Sequence, residues 1–454
     1  MDSGSEAVNK NEGLLVEPII YKRFCCHVNS LFWVRNHAIG YVSIIYRENS
    51  MPKGVLKISK LWTVVLGIGL FSVIFTAPYQ ATVHSRSGRD YASYHYAVQA
   101  VTQNVSPYDV DQLNRLAKKE GARRTVHPFF YPPPAILSVM WVNPLTLLDG
   151  YHAFFWFNQC CLLLTLYVIR RWRKTSWNIL LAGTLLLWPV FDTMKMGQLN
   201  LFVGLMMVVA LRHTSGLALS VAAMTKMSPA LLFFAWVMDK RWKAVCWCVL
   251  GCVGLSILSF PWVSLSAQWD FYTQILPEFS SGAYHGLTIP INIPANHSIP
   301  DLYNQLFPGE TQTKLSSIAK SLSSITSVLI LSSLLLLIRK VRMPDSKLFV
   351  SLSLIPLMLV TPVYCYEHHL ALLLLPIVLC LETLSTKSVS WRVVGWSVLA
   401  FGGQPLFSLR WLQKKIGVGE WLFQESKFMF ILIVGIFCVW RALQIERESL
   451  VSSS

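Results

Sequence analysis

Seven long apolar runs, spread along almost the whole chain, decide most of what this sequence can become. Residues 61–79, 151–169, 244–263, 321–338, 348–360, 370–381 and 428–440 are each near spanning length or long enough to form part of a tilted span. They leave no room between them for a soluble domain of any size, so the solvent must be lipid. Composition agrees, with 54% hydrophobic and only 14% charged residues, against about a quarter charged in soluble domains. The expected fold class is an all-α polytopic membrane protein.

The net charge of +16 could suggest a nucleic-acid partner, but the basic residues fall in short clusters at the ends of apolar runs. That pattern sets membrane orientation. Lys53/Lys57/Lys60, Arg170/Arg171/Arg173/Lys174, Lys240/Arg241/Lys243 and Arg339/Lys340/Arg342/Lys347 mark the cytoplasmic side, with Lys387/Arg392 and Arg441/Arg447 completing the set. No nucleic acid is expected. The chain has ten cysteines, none within the long loops 80–150 and 265–315, so neither a disulfide framework nor a zinc spacing is readable. Cys25 and Cys26 could be acylation sites or incidental neighbours. The polar, acidic start lacks an apolar core with a cleavage site, so no removable signal peptide is expected.

These signals give a topology. Residues 1–60 form a cytoplasmic segment, 61–441 a transmembrane domain and 442–454 a cytoplasmic tail. The first crossing delivers 80–150 to the far side, where 90–101 and 110–120 read as short helices separated at Ser106-Pro107-Tyr108. Residues 131–148 open with three prolines and contain Pro144; a full crossing there would strand Arg170–Lys174 outside, so a re-entrant or interfacial piece fits better. By the same reasoning 216–238 is a hairpin broken at Lys226-Met227-Ser228-Pro229. With 177–190 and 197–211 as short crossings and 265–315 as a second outer loop, about twelve membrane segments result. No internal repeat is evident, which disfavours transporters built from duplicated halves.

Chemistry concentrates just beyond the first crossing, in Gly88-Arg89-Asp90-Tyr91-Ala92-Ser93-Tyr94-His95-Tyr96-Ala97. A carboxylate there can take the proton of an acceptor hydroxyl as that oxygen attacks an anomeric carbon. A phosphate leaving group that is already ionised needs no strong general acid, so one carboxylate can suffice, with inversion at the sugar. Asp90 could equally be a helix N-cap. Tyr91, Tyr94 and His95, with Tyr96, either stack on sugar or anchor the loop at the interface. Lys226 lies inside an apolar hairpin, where an ammonium needs a partner such as a lipid phosphate unless it snorkels to the surface. His368 and His369, beside Glu367, could steady a departing phosphate or make structural hydrogen bonds.

The order of these pieces resembles glycosyltransferase family 87, GT-C-fold membrane enzymes that include polyprenyl-phosphate-mannose-dependent mannosyltransferases. The resemblance runs from about residue 61 to 381. It rests on the Asp90 stretch, Asn104-x-x-Pro107-Tyr108, Phe130-Tyr131-Pro132-Pro133, Gly197-Gln198-x-Asn200, Lys226-x-x-Pro229, Asn296-His297-Ser298 and the aromatic residue ahead of His368-His369. It implies Asp90 as general base, and Tyr131, Gln198, Asn200, Lys226, Asn296 and one of the two histidines as lining for the sugar and lipid phosphate. Cys365-Tyr366 stands where members of the family commonly have Ser-Trp. Two triplets, Asn104-Val105-Ser106 and Asn296-His297-Ser298, also fit the N-glycosylation pattern.

The resulting expectation is an inverting hexosyltransferase of a bacterial inner membrane, working on its extracytoplasmic face. It would move mannose from a polyprenyl-phosphate donor to a glycolipid or glycan acceptor. No metal and no cofactor are expected beyond the lipid-linked co-substrate. The rival is a transporter or flippase of lipid-linked sugars, which would place its ionisable residues near mid-membrane rather than at one edge.

Overall fold

The computed structural model describes residues 63–65, 67–69, 88–122, 125–282, 284, 289–405, 419 and 423–453. The expected cytoplasmic segment 1–60, with Cys25 and Cys26, lies outside the described residues. So does the first crossing, apart from 63–65 and 67–69, which are helical. Among the described residues all regular structure is helical, and there are no strands.

Beyond that crossing come α1 (Arg89–Thr102) and α2 (Val110–Lys119), followed by two 3-10 turns over Pro133–Ser138 and Met140–Val142, then α3 (Leu147–Arg173). Three prolines at 132–134 supply too few amide donors for an α-helical ladder, so the segment expected to be re-entrant stays 3-10 and leads directly into α3. Next come α4 (Trp177–Leu186), α5 (Trp188–Met196), α6 (Asn200–His213), α7 (Gly216–Thr225) and α8 (Leu231–Met238). The expected single crossing at 177–190 is in fact two helices bent by 62°. Pro189 begins the second of them, where its missing N–H costs nothing. The hairpin break falls where the sequence places it: α7 ends at Thr225, and Ser228–Ala230 is a 3-10 turn built on Pro229.

After α9 (Trp242–Ser259), the second loop contains α10 (Leu265–Asp270), a π-helical turn over Phe271–Ile275, α11 (Leu276–Ser280) and α12 (Ile299–Leu306). The chain then runs through α13 (Ser317–Lys340), α14 (Pro344–Val360), a 3-10 turn over Glu367–Leu373, α15 (Leu374–Ser385), α16 (Val389–Gly402) and α17 (Ser426–Ser453). The residues expected as a tail continue α17 as helix. Local chemistry sets many of the starts: Asp109, Thr146, Ser176, Ser215, Ser264, Ser298 and Ser316 each accept a hydrogen bond from the backbone three residues on, worth about 1 kcal/mol apiece.

Among the described residues, five helices are long and apolar enough to cross a membrane, or six if α4 and α5 form one broken span. Thr63–Ser454 is one compact unit. α9 exposes Trp247, Leu250, Val253 and Ile257, and α13 exposes Ile325, Val328, Leu329 and Leu336; such stripes suit a lipid-facing surface and would be a liability in water.

The basic clusters that follow the spans converge at one end. Arg173 pairs with Asp345 at 2.9 Å, Asp239 pairs with both Arg241 and Lys347, and Thr175 donates to Glu382 at 2.9 Å. These ties join the end of α3 to the start of α14 and the end of α15. At the other end of α3, the Tyr151 hydroxyl donates to the carbonyls of Met194 (3.1 Å) and Lys195 (2.8 Å) at the end of α5. From Tyr151 to Arg173 the helix rises about 33 Å, close to the thickness of a hydrocarbon core of about 30 Å.

Within the second loop, α12 buries an acid. Asp301 is 1% exposed, and Gln305 Nε2 donates both to its Oδ2 (3.2 Å) and to Glu425 Oε1 (2.8 Å). Burial, reinforced by the neighbouring Glu425 and partly offset by the Gln305 bond, pushes the Asp301 carboxyl up to about 8 from an ordinary 3.8. Between those values the unfolded chain has released a proton that the folded chain keeps, so this group's stabilisation is complete below about 3.8 and is lost as pH rises through about 8. Thermal unfolding in detergent should therefore show a midpoint that falls across that window. Asp301→Asn should flatten the fall, and an unchanged slope in the variant would exclude Asp301 as its source.

Candidate active site

Gly88 makes the first helix of the site possible. It is the N-cap of α1 at φ 84°, a left-handed conformation that glycine adopts without steric cost, and it offers no side chain to cap the helix. Asp90 is thus the second helical residue and not an N-cap, which leaves its carboxylate free for other partners. The helix is seated by Tyr91, Tyr94 and Tyr96, each 0–1% exposed.

Asp90 is held by an amide whose orientation is itself fixed. Gln198 Nε2 donates to Asp90 Oδ2 at 2.9 Å, while Gln198 Oε1 accepts from two phenols, Tyr94 at 2.9 Å and Tyr131 at 2.8 Å. A flipped amide would set its carbonyl against the carboxylate, so the two hydroxyls determine which atom faces Asp90. Gln198 owes its position to Gly197, which ends α5 at φ 71°. A Cβ there would lie 2.5 Å from Tyr91 Cβ and would occupy a left-handed conformation, which costs about 1–2 kcal/mol for an L-residue before any clash. Gly197→Ala should lower the thermal midpoint and weaken turnover together; a variant as stable and active as wild type would show that the turn does not set Gln198.

A second set of side chains closes on the same carboxylate. His368 is 6% exposed, and its backbone carbonyl accepts from Thr193 Oγ1 (2.7 Å) and Asn200 Nδ2 (3.0 Å). Asn200 Oδ1 accepts from Lys226 Nζ at 2.7 Å, so one amide links the lysine to the histidine segment. The His368 ring lies between two carboxylates: Nε2 is 3.8 Å from Asp90 Oδ2, and Nδ1 is 3.8 Å from Asp192 Oδ2. Lys226 is within electrostatic range of Asp90 and His368, and His127 within range of His368. All of this sits beside Tyr151 and Gly197, at the end of α3 opposite the basic clusters.

The family model of glycosyltransferase family 87 matches residues 129–362, just over half of the chain. The chain belongs to glycosyltransferase family 87. Together with its apolar helices, that makes it a membrane glycosyltransferase. The match is narrower than the resemblance read over 61–381: Tyr131, Gln198, Asn200, Lys226 and Asn296 fall inside it, whereas Asp90, Tyr91, Tyr94, His95, His368 and His369 fall outside. Comparisons with curated proteins and with solved structures give no match.

Within this family 87 chain, the fold brings Asp90, Tyr94, Tyr131, Gln198, Asn200, Lys226 and His368 into one hydrogen-bonded or ionic cluster. Four other candidates lie outside it. Tyr91 is fully buried, edge-on to Tyr151 at 5.8 Å and beside Phe154 at 5.4 Å. His95 turns to Gln99 (2.9 Å) and Glu120 (3.7 Å), and burial holds its imidazole below the ordinary value against the opposing pull of Glu120. Asn296 spends its whole amide on backbone, donating to the Ile291 and Val363 carbonyls and accepting from Cys365 N–H. It therefore braces the segment leading to His368, and its 2% exposure hides it as a glycosylation acceptor. His369 packs edge-on to His368 at 4.4 Å, with Nδ1 accepting from Tyr366 N–H at 3.4 Å, so His368 is the histidine that faces Asp90. Sequence reading missed Asp192, which lies beside His368 on the flank away from Asp90. The available signal was an isolated acid in an apolar stretch.

Proposed function

We propose that this family 87 chain is an inverting hexosyltransferase. It moves mannose from a polyprenyl-phosphate carrier to a hydroxyl of a glycolipid or glycan on the extracytoplasmic face of a bacterial inner membrane. The observation that carries the reading is the Asp90 carboxylate, 16% exposed, fixed by Gln198, with Lys226 and His368 beside it at the end of the bundle away from the basic clusters. A GT-C arrangement of about twelve membrane segments, some short or broken, is the architecture we propose for the whole chain.

In this reading Lys226 receives the lipid phosphate, and the acceptor hydroxyl lies against Asp90. As the acceptor oxygen bonds to the anomeric carbon, its proton passes to Asp90 and the bond to the phosphate oxygen breaks, that oxygen taking the electron pair. The phosphate product carries the extra charge, so no strong acid is needed at the leaving side. A lipid-borne donor fits a site beside apolar helices, and the reading includes no cofactor beyond it.

The test uses the full chain in liposomes with polyprenyl-phosphate mannose labelled in the sugar and a glycolipid acceptor. Label should appear on the acceptor with inverted anomeric configuration. Movement of intact labelled donor across the bilayer with no glycosyl product would replace this reading with that of a flippase.

A further inference from the structure

His368 touches two carboxylates, and the reaction just described uses only one of them. The second, Asp192 on α5, is 3.8 Å from Nδ1, on the side of the imidazole away from Asp90. The same turn of α5 also grips the backbone of residue 368, through the bond from Thr193 Oγ1 to its carbonyl. Side chain and main chain of His368 are thus both registered to residues 192–193. His368 Nε2 is buried and has no hydrogen-bond partner among the described residues, although it faces Asp90. An unpaired buried ring nitrogen carries a desolvation cost and calls for an explanation; this one is aimed at the carboxylate that the reaction uses as its base.

We propose that Asp192 is a positioning residue that fixes His368 as the proton acceptor from Asp90. The inference rests on Asp90 being the base. With Nδ1–H directed at the Asp192 carboxylate, the lone pair of the neutral ring is on Nε2 and points at Asp90. After transfer, the proton on Asp90 moves to Nε2, and the imidazolium formed is stabilised by Asp192 on one side and Asp90 on the other. Release of that proton to water when the product leaves restores the starting state, so each turnover passes the acceptor's proton to water and leaves no charge on the enzyme, the extra negative charge departing with the phosphate product. Both contacts are longer than direct hydrogen bonds, as catalytic contacts often are before substrate closes the site. The charged groups around the relay are Asp90 from α1, His127 ahead of the first 3-10 turn, Lys226 after α7, His369 beside it, and Glu367 and Lys195 around Asp192.

The experiment compares Asp192→Asn, Asp192→Glu and Asp90→Asn in the full chain, with labelled polyprenyl-phosphate mannose as probe. Asp192→Asn should lower kcat about tenfold or more, leave the donor KM within twofold of wild type, and move the acidic limb of the kcat profile to lower pH. That shift follows because an imidazolium that has lost an anionic neighbour forms less readily. Asp192→Glu should restore the limb. A merely structural lesion would scale the profile without moving it, and that result overturns the inference. Asp192→Ser supplies a second uncharged variant should the asparagine variant not fold. Wild-type kinetics in Asp192→Asn alongside an inactive Asp90→Asn would overturn the inference alone, whereas an active Asp90→Asn would overturn the base and the relay together.

Discussion

Asp90→Asn should lose about 10²- to 10⁴-fold in turnover, the range that a positioned general base contributes, while donor affinity changes little. Asparagine keeps the size of the side chain, and its carbonyl can still accept from Gln198 Nε2, now 2.9 Å from Asp90 Oδ2. Gln198 would remain held by Tyr94 and Tyr131, so the surroundings of the site should survive. What disappears is the ability to take a proton as the acceptor oxygen attacks. Because that interaction is made only in the transition state, kcat and kcat/KM should fall by the same factor. Labelled donor binding, followed in parallel, separates this outcome from misfolding. Turnover within tenfold of wild type would remove Asp90 as the base.

Much of the helical layout is legible in the sequence because its signals are local. Pro229 stops a helix wherever it occurs, and the charge rule requires a return at that point, so the break between α7 and α8 was readable. The start of α1 was also readable to within a residue. The 62° bend between α4 and α5 was less so: Pro189 is a local signal, but the apolar run continues past it and gives no direction for the turn. Reading that run as one crossing ending at Val190 excluded Asp192 from consideration, two residues further on. The site itself depends on contacts between residues far apart in the chain, such as Gln198 with Asp90 and Tyr94. Residue type suggested these groups but not their partners. Asn296 shows the limit: an amide at a loop edge suits a sugar contact and a backbone brace equally well, and only its three backbone bonds decide between them.

Lys226→Met carries the other large expected effect. Methionine approximates the length and apolar stem of lysine and removes only the ammonium, whose 2.7 Å bond to Asn200 Oδ1 is replaceable by water at a half-buried position. A hydrogen bond to a charged group contributes about 1.5–3 kcal/mol, so donor affinity should fall roughly 10- to 150-fold. Catalysis should fall further than binding. The bridging oxygen of the donor is nearly neutral in the ground state and gains negative charge as its bond to the sugar breaks, so a cation beside it stabilises the transition state more than the bound donor. The loss in kcat/KM should therefore exceed the loss in measured donor affinity, and Lys226→Arg should recover only part of it, because a planar fork does not replace a compact ammonium among tightly bonded neighbours. Titration of the inactive Asp90→Asn background with donor, with and without Lys226→Met, gives the affinity change without turnover. If affinity and turnover are both unchanged, Lys226 is a lysine reaching for the surface, and the phosphate must be held by other groups.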